Sequence, residues 1–366
     1  MAVAAFVLGS VLVSGVLSRT VSYPDLTPRL SSEIKDLINE VLEHGRGKQT
    51  YESQIQAVEI EGWGHTLPRL GQISGVSVDE QGRPVIFHRG PTKWLSRSFN
   101  ESFIFQEQSQ GPIPVDTVLT LDPQSGMIES SWGRNIFYMP HGITICTHTG
   151  DIWLTDVALH QVFKYESGQE EPSFVLGVAF EPGSDDGHLC QPTSVAVAST
   201  GDVFVADGYC NSRIMRFTSD GVFVNEMGSG MGELRLTLPH GITLLEERDA
   251  VCVADRETRR LVCLKAGLSQ DAHDQGGDVL GEFQDPAMGR TFGIASYGGL
   301  LFVVAGQTDD TENMGLTIDP VAGKILDEWA PKRGFKAPHA VAVSPDAGEI
   351  YVSEIGPNRI HKFVLV

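Results

Sequence analysis

Three histidines share one local setting: MPHGI around His141, LPHGI around His240 and APHAV around His339. His141 and His240 lie 99 residues apart, and so do His240 and His339. Equal spacing over such distances means one register position repeated on a periodic framework. Three imidazoles holding one ion at Zn–N contacts of about 2.0–2.1 Å leave a fourth tetrahedral position open to water or substrate, the mark of a catalytic rather than a structural zinc. One Pro-His pair would read as a histidine hydrogen-bonded in the wall of the fold; three in register read as ligands.

The framework that must position them is visible as a repeat. MPHGITICTHTGDIWLTDVALHQVFKY recurs as QPTSVAVASTGDVFVADGYCNSRIMRF, LPHGITLLEERDAVCVADRETRRLVCL and APHAVAVSPDAGEIYVSEIGPNRIHKF, with weaker copies at GQISGVSVDEQGRPVIFHRG and RTFGIASYGGLLFVVAG. Each copy holds an apolar strand, a turn, a second strand ending near an acidic residue, a polar turn and a third strand, which is an antiparallel meander. One meander cannot bury both of its faces, and units with a period near fifty residues pack side by side as propeller blades. The sequence is therefore expected to form an all-β, six-bladed β-propeller. The histidines fall in blades two, four and six, and the equivalent positions in the others are Ser74, Thr193 and Phe292. Alternate members of a six-membered ring lie about 120° apart, and inner strands start beside the central channel. The three imidazoles are expected to converge on the axis.

Turns after the second strands carry residues able to act beside such a metal. They are Arg89 in VIFHRG, Tyr209 in ADGYCNSR and Arg256 in VADRET. A guanidinium suits a substrate carboxylate through paired hydrogen bonds, and a phenol set beside a cation and an arginine is expected to have its pKa lowered toward use as a base. The acids recurring at Asp156, Asp207, Asp255 and Glu354 read as turn caps instead.

Composition bounds the rest. A 366-residue chain with 41% hydrophobic and 20% charged residues can bury a large core, and a formal net charge of −20 argues against nucleic acid as a partner. Residues 1–20 read as a signal peptide, with a retained anchor as the alternative, and no later segment is apolar enough for a membrane span. Residues 21–57 read as a helical or linker segment, residues 58–366 as the propeller, and the polar stretch 266–289 as a loop into the fifth blade. In an oxidising compartment, Cys190 with Cys210 and Cys252 with Cys263 are spaced for stapling neighbouring strands, leaving Cys146 as a buried thiol. Asn100 in Asn-Glu-Ser is a glycosylation acceptor for a secreted chain.

From about residue 60 onward, the strings VIFHRG, LTLDPQSG, FYMPHGIT, LTDVALHQVFK, EPGSDDGHLCQPTSVAV, ADGYCNSRI, CVADRETRRLVC and APHAVAVS make the chain resemble the lyase domain of peptidylglycine α-amidating enzymes, an NHL-type propeller. The resemblance implies cleavage of peptidyl-α-hydroxyglycine to an amidated peptide and glyoxylate. It implies zinc on His141, His240 and His339, Tyr209 as base, Arg89 and Arg256 on the substrate, and the two disulfides just named. It also implies a structural calcium, whose carbonyl positions match Val76 and Ile143. Where the family has Met-Pro-His-Asp, this chain reads Ala337-Pro338-His339-Ala340, so the anionic calcium ligand is missing and hard cations prefer anionic oxygen. Some 60 residues precede the propeller, too few for the copper monooxygenase often fused upstream, so a separate hydroxylating enzyme is expected to supply the substrate. A monomer in the secretory-granule lumen or outside the cell is expected. The rival readings are a lactonase- or esterase-like metalloenzyme on the same ring and a non-catalytic NHL-type binding module.

Overall fold

The computed structural model describes residues 55–230, 235–268 and 276–366. The expected signal peptide, and the helical segment up to residue 54, lie outside the described residues. Ala57–Glu59 is already a strand.

Six four-stranded antiparallel sheets form the described chain, and the protein is a six-bladed β-propeller. The inner strands are Ile73–Val78, Pro140–Ile145, Ser194–Val197, Pro239–Leu245, Arg290–Tyr297 and Pro338–Val343. Each packs against the inner strand of the next blade, and the last packs against the first, which closes the ring. Hydrogen-bonded strand pairing also closes the ring. Ala57–Glu59 pairs with the C-terminal strand Ile360–Leu365, so one blade is built from both ends of the described chain.

The second strand of each blade is the most apolar because both its faces meet other blades. VIF in Pro84–His88, VFVA in Val203–Asp207 and VCVA in Ala250–Asp255 are buried throughout. Outer strands such as Ile128–Trp132 and Val279–Phe283 face solvent. The second of these corrects the expectation of a loop over 266–289. Leu261 pairs with Phe283 and Cys263 with Gly281, so VLGEF completes the fourth blade as its edge strand. Its glycine and glutamate hide the strand pattern, since an edge strand has no second apolar face to bury. Residues 269–275 of that stretch lie outside the described residues.

The register of the inner strands matters most. In five of the six, pairing with the second strand slips by an extra residue at the point where the candidate histidine or its equivalent sits: Pro140/Ile143, Pro239/Gly241, Pro338/Ala340, Ile73/Gly75 and Thr291/Gly293. A bulge re-aims the side chain that it releases from the ladder. Here it turns that position toward the axis. Gly142 shows how tightly the blades meet there, since a Cβ on it would lie 2.5 Å from the Thr193 carbonyl oxygen of the next blade.

Candidate metal centre

The three bulged histidines meet on the axis. Ring centroids of His141, His240 and His339 are 4.8–4.9 Å apart, and one ligand atom of each lies within 4.8 Å of the others. All three are buried. Each ring donates its Nδ1 hydrogen to a carbonyl of the next blade: His141 to Thr193 (2.7 Å), His240 to Phe292 (2.8 Å) and His339 to Ser74 (2.6 Å). Those carbonyls fix the tautomer, leaving an Nε2 lone pair on every ring turned inward.

Burial disfavours protonation of all three. It drives His141 and His240 well below the usual histidine range, helped by charge on the neighbouring rings and on Arg256, and it drives His339 down to about 3. Three neutral nitrogen donors facing one point fit a metal ion, and the donor set suits zinc. These residues could hold such an ion.

The strand leading into each histidine is clamped from below. Asp156 Oδ2 accepts the amides of Tyr138 and Met139, Asp255 Oδ1 those of Thr237 and Leu238, and Glu354 Oε1 those of Lys336 and Ala337. In each case these are the two residues just before the Pro-His pair. The acids read as turn caps therefore also set where each imidazole starts. Burial pushes Asp156 above the usual carboxylate range; for Glu354, His361 and the two amides outweigh burial and hold it below.

Tyr209 sits on the same rim as the triad. Its hydroxyl is 3.0 Å from His141 Nε2 and 3.1 Å from His240 Nε2. Cys190–Cys210 and Cys252–Cys263 are both disulfides, and the first ties the Tyr209 turn to the segment before Thr193, while Cys146 is free and buried. Arg256 lies between two rings, 5.3 Å from the Tyr209 centroid and 5.2 Å from that of Phe292, and pairs with Glu257. Arg89 is buried with its Nε donating to Pro140 O and Nη1 to Gln72 Oε1. The expected lowering of the phenol pKa is not what the protein groups alone produce. Burial outweighs Arg256 and Arg89, and the Tyr209 pKa is raised.

Two partners escaped the sequence reading. Trp94 packs against Tyr209 with tilted rings at 4.8 Å, its ring centroid 5.3 Å from the Arg89 guanidinium, and Gln72 fixes both Arg89 and the Trp94 amide. The long excursion between the second and third strands of the first blade was the available signal for Trp94, because a bare hairpin needs only a few residues. Asn100 is exposed on that excursion, its Oδ1 accepting the Ser102 and Ile104 amides. Behind the triad runs a channel of about 490 Å³ lined by Val76, Ile143 and Ala340. Among the described residues, no carboxylate other than Glu246 lines the channel that Ala340 faces.

A model of the NHL repeat matches residues 189–217. The chain is 46% identical over 312 residues to the Drosophila melanogaster protein named peptidyl-alpha-hydroxyglycine alpha-amidating lyase 2, covering 84% of this chain and 75% of that one. It is 41% identical over 307 residues to Rattus norvegicus peptidylglycine alpha-amidating monooxygenase, covering 81% of this chain and 30% of that one, so it spans less than a third of that longer relative. Among solved structures, the β-propeller domain of Myceliophteria thermophila Cps50 aligns with a TM-score of 0.51 at 12% identity over 80% of this chain and 84% of that one, a likeness of fold alone.

Proposed function

The chain belongs to the peptidyl-alpha-hydroxyglycine alpha-amidating lyase family and is a lyase, and from that premise we propose that it cleaves peptidyl-α-hydroxyglycine to an amidated peptide and glyoxylate with zinc held by His141, His240 and His339. The observation that carries this reading is that three buried imidazoles bring one ligand atom each within 4.8 Å of one another, with the Tyr209 hydroxyl beside the Nε2 atoms of His141 and His240. A metal bound there supplies Lewis acidity, which acidifies a substrate hydroxyl.

The chain's own groups do the rest. Arg256 and Arg89 hold the substrate carboxylate through charge-assisted hydrogen bonds. Tyr209 takes the α-hydroxyl proton as its phenolate, a state that a cation held by the triad would favour against the burial that raises the phenol pKa. The O–H electron pair then forms the C=O bond of glyoxylate, and the C–N pair leaves on the amide nitrogen. Tyr209 returns the proton to that nitrogen, so the enzyme ends in its starting state. Trp94 and Phe292 flank the phenol and Arg256, excluding water from the reacting atoms and strengthening these electrostatic contacts.

The substrate would come from a separate peptidylglycine α-hydroxylating enzyme. Two disulfides fit an oxidising compartment, which supports secretion or a granule lumen, with Asn100 as a glycan site and the protein acting as a monomer. Calcium is not part of this reading, since the Val76 and Ile143 carbonyls have no carboxylate beside them at Ala340.

Glyoxylate release from a short peptidyl-α-hydroxyglycine tests the proposal. Zinc-loaded protein should turn the substrate over, and a chelator should abolish the rate until zinc is restored. Release at the buffer rate by zinc-replete protein would reject it.

A further inference from the structure

A second cavity, of about 610 Å³, opens where the last blade meets the first. Three arginines line it, Arg69, Arg333 and Arg359, together with Lys332, and all four are exposed. Its own carboxylates are already engaged: Glu61 pairs with Lys332, and Glu59 accepts the Lys332 amide and faces His361. Among the described residues no carboxylate pairs with any of the three arginines. The walls are held in place, since Asn358 Nδ2 donates to Leu70 O and Gly64 packs against Ile360. In a chain with a net charge of −20, this is a local field of opposite sign. Leu67, Pro68 and Ile360 give it apolar surface as well.

The cavity shares the rim of the metal centre. Arg359 lies in the turn after the second strand Glu349–Glu354, the same turn that carries Arg89, Tyr209 and Arg256 in other blades. Arg333 precedes His339 by six residues, and Arg69 precedes Ser74, whose carbonyl holds the His339 ring, by five. An extended chain covers at most about 3.6 Å per residue, so the Arg333 and Arg69 backbones lie within roughly 20 Å of His339 and of its partner Ser74, a span that about six residues of extended peptide can bridge.

We propose that this cavity binds acidic side chains of the peptide being processed, about four to seven residues before its reacting C-terminal residue. The inference rests on the lyase reading for what occupies the metal centre. It adds a selectivity that the centre itself lacks, because the triad, Tyr209 and Arg256 meet only the last residue. The chain's overall acidity repels such peptides at long range, and the arginines reverse that locally.

The test uses ten-residue peptides ending in α-hydroxyglycine, one with glutamates at the fourth to seventh residues before that end and one with serines there, beside a short substrate lacking the segment. Glyoxylate release is measured for the protein and for its Arg69→Ser/Arg333→Ser/Arg359→Ser variant. A few exposed ion pairs together are worth about tenfold. KM for the glutamate peptide should therefore be about tenfold below that for the serine peptide at equal kcat, and the variant should erase the difference while leaving the short substrate unchanged. Equal KM values in the unmodified protein, or an advantage that survives in the variant, would overturn the proposal. If even the short substrate is not turned over, the lyase reading fails, and fluorescence anisotropy of labelled glycine-ended versions decides on the cavity alone. Tighter binding of the glutamate peptide to the unmodified protein only would support it, and equal binding would refute it.

Discussion

Blades two, four and six supply imidazoles, and blades one, three and five hold them. The difference is chemical as well as positional. A metal ligand needs a particular side chain, whereas the carbonyls that orient the rings, at Ser74, Thr193 and Phe292, belong to the main chain. The holding blades are thus free to use their side chains otherwise. Ser74 and Thr193 donate their hydroxyls to the Pro140 and Pro239 carbonyls of the next blade. Phe292 gives its ring to Arg256, His240 and His339. Sixfold repetition has been divided into two threefold tasks, and only one of them constrains residue type.

The largest break in that division is His240→Ala. It should abolish stoichiometric zinc and lower the glyoxylate rate by at least about a thousandfold, because Lewis-acid stabilisation is worth several kcal/mol and 1.36 kcal/mol is tenfold. Metal analysis of the purified variant checks this, and unchanged zinc content would contradict the triad.

The clamping acids sharpen the comparison next. Asp255 accepts the amides just before Pro239-His240 and also pairs with Arg260. Asp255→Asn should cost about 3 kcal/mol of stability by unpairing a buried ion pair, and weaken zinc binding about 10–100-fold by releasing the strand that aims His240. Asp207, in a holding blade, accepts the Cys190 amide and pairs with Arg213. Asp207→Asn should lose similar stability and keep its zinc affinity. Thermal unfolding and competition with a chelator separate the two effects; equal zinc losses would mean that the acids only hold the fold.

The ring, its six blades and the shared register of the histidines were legible because each rests on periodicity, which survives in the sequence as spacing. The bulges were not, since a slipped pair leaves no mark in residue type. The outer strand Val279–Phe283 was missed because an exposed edge buries nothing and so carries no apolar pattern. Arg89, Tyr209 and Arg256 could be singled out as unusual turn residues, but the way Arg256 lies between two rings depends on Phe292 from a different blade. Trp94 depends on an excursion whose path only packing decides.

Phe292→Ser would give the fifth blade the hydroxyl that the other holding blades use. The carbonyl that orients His240 is untouched, so zinc should remain. Arg256 would lose one of its two ring faces, a cation–π contact worth about 0.5–2 kcal/mol, and the expected result is a KM raised several-fold with kcat changed less. A loss of zinc in this variant would show that the ring, and not only the carbonyl, holds His240.

Thr193→Val is the smallest and cleanest change. Valine keeps the shape and the Thr193 carbonyl that receives His141, and removes only the hydroxyl hydrogen bonds to Pro239 O and Ala206 O. Pro239 O is left short of a donor in a buried setting, so about 1 kcal/mol of stability should be lost, with zinc content and turnover kept. Phe292 stands where that hydroxyl would be in the fifth blade, and the ring closes all the same. The hydroxyls must therefore be supports of the interblade contact rather than conditions for it. A Thr193→Val protein that folds but has lost its metal would reverse that ranking, and would make the side chains of the holding blades as constrained as the histidines themselves.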